Sequence, residues 1–258
     1  VSFLQLRNLF HACNLKVKAG FESTSDELLA KMRKKNRFIH NLQFLKSMAL
    51  LDKQFFMTYS IITGIPDEIK QDVEKAIHNL DYLRFYIPGN LLLCFNKFQL
   101  AAGSSYYNNM TEDEKNEYLP DGLGIFVPEK YIAGNRKFQF FFNTKKHIKN
   151  EELWERFRKK DRSFKAEKRF YIIDNDSRSY KEYKNQQFIK KLFFSDLQWL
   201  ALKQVNLHFL EKDELIKILA GNGFQMDQIR LELSPLIDEK ILYDDEKYIA
   251  SIITLDLA

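Results

Sequence analysis

The chain has 258 residues, a formal net charge of +5, and 45% hydrophobic and 29% charged residues. That mixture excludes a disordered polymer, and the mild positive charge falls short of a nucleic-acid-binding tail or a polybasic membrane anchor. With 9 Gly and 5 Pro as breaks, against 23 Phe and 12 Tyr, most of the chain is expected in helices and strands.

Phe3 to Ala12 reads as an amphipathic helix with Leu6, Leu9 and Phe10 on one face and Arg7 and Asn8 outward, and it carries no signal-peptide cleavage pattern. A strand follows over Leu15 to Phe21. Thr24 and Glu27 have the spacing of a capping box that opens a helix through Leu28, Leu29 and Met32. Phe38 to Leu51 predicts a second helix, with Ile39, Leu42, Leu45 and Met48 or Ala49 on its apolar face. Phe55 to Ile62 is a nearly continuous apolar strand that closes at Gly64-Ile65-Pro66. Ile69, Val73, Ala76, Ile77 and Leu80 then mark a helix, and Leu83 to Ile87 a strand. Alternating strands and helices with a buried central strand predict parallel βα units, either an open sheet or part of a barrel. About three strands precede the break near Gly103, too few to close a barrel of about eight.

From Ser104 to Lys190 the expectation is looser: a polar surface excursion, a strand over Lys137 to Phe142, and a charged helix from Glu151 to Lys160 carrying Trp154 and Phe157. A hairpin follows, from Phe170 to Ile173 and back across a turn at Asp174-Asn175-Asp176. Its lysines and arginines read as a solvated face. Ser195 then caps a helix through Leu197, Leu200, Ala201 and Val205. Glu211 to Ala220 is a second helix and Met226 to Leu236 a third, followed by strands at Lys240–Tyr243 and Tyr248–Leu255. Three short helices and a two-stranded wing predict a winged-helix-like module. Its third helix sets Arg230 against Asp227 and Glu232, with Asp238 and Glu239 beyond, which argues for a peptide or protein ligand rather than DNA. The predicted organisation is thus α/β: a partial barrel over residues 1–103, an irregular α+β connecting region over 104–190, and the winged-helix-like module over 191–258.

Two segments carry a family resemblance. GFESTSDELLAKMRKK, Gly20 to Lys35, followed by Asn41-Leu42 and Leu45-Lys46, resembles the "G-I-E-S-L-S … L … M-x-K-G" block of cobalamin-type radical SAM enzymes that mature ribosomally made peptides. Ile61-Ile62-Thr63-Gly64-Ile65-Pro66-Asp67-Glu68 is similar to that family's strand ending in "G-F-P-G-E", in the same order along the chain. The resemblance implies a partial radical-SAM-like barrel and S-adenosylmethionine as the cofactor. Glu22 and Ser23 would lie near its ribose and methionine, and Ile62 and Gly64 against its adenine. A carboxylate and a hydroxyl at a strand's C-terminal edge suit ribose hydroxyls or an ammonium. The same residues also read as a helix-capping turn and a strand-to-helix turn. Ser60 stands where the family pattern has its first glycine, and Asp67 where it has the glycine before Glu68.

The family's C-x-x-x-C-x-x-C run, whose thiolates hold an iron–sulfur cluster, does not occur in this chain. Cys13 and Cys94 are expected to be small apolar side chains, and they point to a reducing, cytoplasmic compartment. No apolar run approaches the roughly 20 residues that span a bilayer. An iron–sulfur cluster or cobalamin would therefore come from a missing segment or a partner chain. The expected function is the downstream part of a radical SAM peptide-modifying enzyme, possessing no activity alone, with a precursor peptide or protein as partner. The alternative is a cluster-free adaptor that binds a leader peptide. Neither nucleic acid nor membrane is expected as a partner. The five histidines are scattered without zinc-site spacing.

Overall fold

Phe21, Ile61 and Thr63 are buried on one face of a small parallel sheet, and this alternation organises the N-terminal half. The structure is a computed structural model and describes residues 7–8, 19–51, 57–87, 91–120, 141–144 and 149–255. Strands β1 (Ala19–Glu22), β2 (Met57–Thr63) and β3 (Leu91–Lys97) pair in parallel in the order 1-2-3. Helices α1 (Asp26–Lys31) and α2 (Phe38–Leu50) cross from β1 to β2, and α3 (Lys70–Asn79) crosses from β2 to β3. Consecutive order with the usual right-handed crossovers keeps these helices on one face of the sheet. Phe38, Ile39, Leu42, Leu45 and Met48 of α2 and Val73 and Ala76 of α3 are buried, as their helical spacing predicts.

After β3 the chain builds an antiparallel sheet in the order β4 (Gln99–Ala101), β6 (Phe141–Thr144), β5 (Tyr118–Pro120), with α4 (Ser105–Asn109) and α5 (Glu112–Asn116) between β4 and β5. Helix α6 (Glu151–Ala166) returns to the parallel sheet. Its Phe157 meets Phe95 of β3 edge-on at 5.6 Å, and Lys160 Nζ donates to Ile77 O at 2.9 Å. Strands β7 (Arg169–Asp174), β8 (Ser179–Lys184) and β9 (Gln187–Phe193) form an antiparallel meander. The C-terminal part runs α7 (Asp196–Gln204), β10 (Leu210–Glu211), α8 (Lys212–Gly221), α9 (Met226–Asp238), β11 (Leu242–Asp244) and β12 (Tyr248–Ser251), with its sheet in the order β10-β12-β11. The chain is thus mixed α/β with several small sheets, and no closed barrel forms among the described residues.

The C-terminal part is bound into the rest. Tyr243, Ala250 and Ile252 belong to the core built by Phe21, Phe38 and Trp154, while Leu202, Leu215, Ile229 and Leu233 form a second core with Tyr180. Lys46 on α2 donates to the carbonyls of Ser251 and Ile253, Gln43 to that of Leu207, and Arg37 to Asp245.

Several sequence expectations change. Leu83–Ile87 is not a strand: Leu80–Leu83 is a 3-10 turn, and Ile87 N donates to Leu83 O at 3.0 Å. Burial of Leu80, Leu83 and Ile87 is satisfied by that turn, and the strand lies later, at Leu91–Lys97. The cap of α1 is Ser25 rather than Thr24, because the Thr24 hydroxyl is drawn to Ala76 O on α3 at 2.8 Å. The polar stretch after Ser104 contains α4, α5 and β5, and the meander has a third strand. Arg7 and Asn8 are helical and exposed, whereas the rest of the first predicted helix, Leu15–Lys18, Cys13 and Phe55 lie outside the described residues.

Candidate functional site

The C-terminal edge of β1 and β2 brings the two sequence segments side by side. After an irregularity in the β1–β2 register Glu22 pairs with Ile61, so Glu22-Ser23 and Thr63-Gly64 leave adjacent parallel strands at the same end. This is the edge at which α/β sheets ordinarily offer loops and backbone groups to ligands.

Glu22 has φ 60°, and Ser23 N donates to Phe21 O at 2.7 Å. A positive φ with an i→i+2 hydrogen bond is the rare, strained form of γ-turn, and such strain persists only where neighbours over-determine it. The neighbours are on hand. Asn41 Nδ2 from α2 donates to the same Phe21 carbonyl at 3.1 Å and is itself held by Asn36. The Glu22 carboxylate lies back over Gly20, where an added Cβ would come within 2.9 Å of Oε1. Lys34, in the turn after α1, pairs with its other oxygen. The turn thus holds a half-buried carboxylate, paired with Lys34, beside Gly20 near the end of β1.

Ser23 is placed differently. Its side chain is fully buried, and its hydroxyl accepts from Ser25 N at 3.0 Å. Thr24 and Ser25 are buried too, and Asn79 Nδ2 of α3 donates to Thr24 O at 2.7 Å. The Ser23-Thr24-Ser25 run therefore anchors the loop, which leaves Glu22 as the member of the pair at the surface.

Gly64 has φ 76°, a conformation that suits glycine, and its N–H donates to Glu68 Oε2 at 3.0 Å. The other oxygen of Glu68 accepts from Trp154 Nε1 at 3.0 Å and Asn150 Nδ2 at 3.2 Å. Burial raises the Glu68 carboxyl above its ordinary range, against the pull of these donors. Glu68 is thus a brace from the end of β2 to α6, a role invisible in the local sequence because Trp154 lies 86 residues away. The face of the sheet opposite the helices carries Ser60, Ile62 and Cys94, all half-buried, and the exposed Asn96. Their register sets Ser60 beside Cys94 and Ile62 beside Asn96. Ile62 and Gly64 thus lie on the strand next to Glu22, with Ile62 packed against the first core, and Ser23 is buried in the following loop.

No group of three His, Cys, Asp or Glu side chains suited to a metal ion occurs among the described residues. Cys94, at mid-strand, is the one cysteine among them, so the donor set for an iron–sulfur cluster is not present there. Among the same residues no helix is long and apolar enough to cross a membrane. A recess lies in the C-terminal part, lined by Leu215, Ile216, Ile229, Leu233 and Ile249 together with Lys212 and Arg230. No protein-family model and no curated protein matches the chain.

Proposed function

We propose that this chain is the nucleotide-side portion of a radical SAM peptide-modifying enzyme, a partial barrel completed by a segment or second chain that carries the iron–sulfur cluster. One observation carries the reading: the Glu22 γ-turn and the Gly64 turn, each half of a family-like motif, leave neighbouring parallel strands at one edge. The strand order 1-2-3 is compatible with a barrel segment, and equally with one half of a doubly wound sheet.

In this reading Glu22 accepts hydrogen bonds from the ribose hydroxyls or pairs with the methionine ammonium of S-adenosylmethionine, and Lys34 releases it. Ile62 offers an apolar surface to the adenine, and the Gly64 backbone allows close approach. Ser23 holds the loop from behind. The chain's own residues do not fit the cluster, so the radical step belongs to the completed enzyme, and cobalamin, if used, is supplied the same way. The substrate is a precursor peptide.

Calorimetry with S-adenosylmethionine tests this. Saturable binding by the purified chain, lost in Glu22→Ala, is expected, with no 5′-deoxyadenosine formed. Absence of binding, or binding indifferent to Glu22, removes the nucleotide site. Appreciable 5′-deoxyadenosine from the chain alone removes the claim that it is incomplete.

A second reading rests on the C-terminal part. Three helices with strands in the order β10-β12-β11 support a winged-helix module, and the recess between α8 and α9, apolar with Lys212, Arg230 and Asp244 around it, suits a peptide. A leader peptide could add as a strand to an edge of this sheet. In that case the chain is a cluster-free adaptor that binds a leader peptide and not S-adenosylmethionine.

A further inference from the structure

The outer face of the β7–β8–β9 meander carries side chains that its inner face, packed on Arg84 and the second core, does not explain. In register across the three strands stand Phe170, Tyr183 and Phe188; then Ile172, Lys181 and Lys191; then Asp174, the buried Ser179 and Phe193. Phe188 is 57% exposed and Phe193 66%, with Phe170 and Ile172 exposed as well. Soluble chains scatter single apolar residues on their surfaces, but a contiguous aromatic set marks an interaction site. Lys181 and Lys191 lie directly opposite each other. Like charges in that relation repel, and neither has a carboxylate at ion-pair distance among the described residues. Asp174, one row away on the same face, accepts from Ser177 N at 3.0 Å and also feels the charge of Lys181, which leaves Lys191 the less compensated of the two. Lys191 lies over the Phe193 ring at 4.2 Å, which fixes the cation beside the aromatic group.

We propose that this face docks an acidic peptide segment of a protein partner, with a carboxylate between Lys181 and Lys191 and apolar side chains on either side of it. The pattern distinguishes this occupant from others. The rows are about 7 Å apart, two residues along a strand. The two lysines lie between the Phe170–Tyr183–Phe188 row on one side and Phe193 on the other, so the complement is apolar, acidic, apolar. A bilayer would favour the reverse, an apolar centre with lysines at the rim. A single-stranded nucleic acid would need open ring faces for stacking. Here Phe170 and Tyr183 stack on each other at 4.9 Å with 6° between planes, and Phe188 meets Tyr183 edge-on, so the rings cover one another. The inference does not depend on the nucleotide-site reading and survives its failure.

Fluorescence anisotropy with the full chain tests it. The probe is a short labelled peptide in which two glutamates alternate with phenylalanine and leucine. Its glutamine counterpart, an oligouridine and phosphatidylserine vesicles serve as comparisons. Saturable binding of the glutamate peptide is expected, weakened about tenfold by Lys181→Glu with Lys191→Glu and also by Phe188→Ser. The glutamine peptide, which requires no protein variant, should bind about as poorly as the charge-reversed protein binds the acidic one. The proposal is overturned if the acidic peptide does not bind, if the glutamine peptide binds equally, or if folded charge-reversed protein binds as before. It is equally overturned if oligouridine or vesicles bind more tightly through these lysines, or if the face is instead buried in a dimer of this chain.

Discussion

Arg84 and Glu182, 98 residues apart in the chain, form a buried ion pair with Nε and Oε1 3.2 Å apart. Arg84 follows the 3-10 turn of the βα region, and Glu182 lies on the inner face of the meander. The same guanidinium donates to Lys240 O at 2.9 Å and Glu239 O at 3.3 Å, at the end of α9. One side chain therefore joins the parallel-sheet region, the meander and the C-terminal part. Tyr180, Arg169 and Lys190 complete the surroundings of the carboxylate.

Removing the cation should be far worse than neutralising the pair. Arg84→Met leaves a buried carboxylate short of its main counter-charge and strands two helix-end carbonyls, so a loss of about 3–5 kcal/mol is expected in urea denaturation. Burial opposes the charge on Glu182, but Arg84, Tyr180 and Lys190 hold its carboxyl below the ordinary range. Its contribution is thus present above the unfolded value and is lost as pH falls through the lower folded value. An Arg84→Met protein as stable as the parent would show that the junction is dispensable.

Lys46 gives a pH dependence of the opposite sense. Burial lowers its ammonium to about 7 from 10.5, and among the described residues its acceptors are the carbonyls of Ser251 and Ile253. Between those values the unfolded chain retains a proton that the folded chain has released, so stability should rise with pH from about 7 to about 10. Below pH 7 the full penalty, a few kcal/mol, applies. Melting curves of Lys46→Met across this range should be flatter than those of the parent. Parallel curves would mean that Lys46 is not the group responsible.

Glu22→Gly separates backbone from carboxylate. A glycine adopts φ 60° freely, so about 1 kcal/mol of strain is relieved, which offsets the lost Lys34 pair. Stability should change little while S-adenosylmethionine binding disappears. Unfolding of this variant would assign the carboxylate a structural role instead.

Trp154→Phe should loosen the brace at the end of β2. Glu68 Oε1 would keep only Asn150 as a donor, at a cost of about 1–2 kcal/mol from the lost buried hydrogen bond. Hydrogen exchange at the Gly64 amide, which Glu68 Oε2 protects, should quicken more than that at amides of α2. Uniform exchange changes would instead indicate general destabilisation.

The amino-acid sequence by itself determined the elements whose signal is local. The apolar spacing of α2 and α3, the Ser195 cap of α7, the Trp154 and Phe157 stripe of α6 and the first hairpin of the meander all follow from neighbours within one or two turns. It also brought out the Glu22 and Gly64 segments as motifs. Tertiary structure decided what depends on partners far along the chain. Thr24 gave up its capping role because Ala76 O lies within reach, and Leu83–Ile87 turned rather than extended because burial there was met by a 3-10 turn. Glu68 became a brace because Trp154 and Asn150 meet it. The physical reason is the same in each case. A polar group or apolar side chain can satisfy burial in more than one local conformation, and only the groups that pack against it select one.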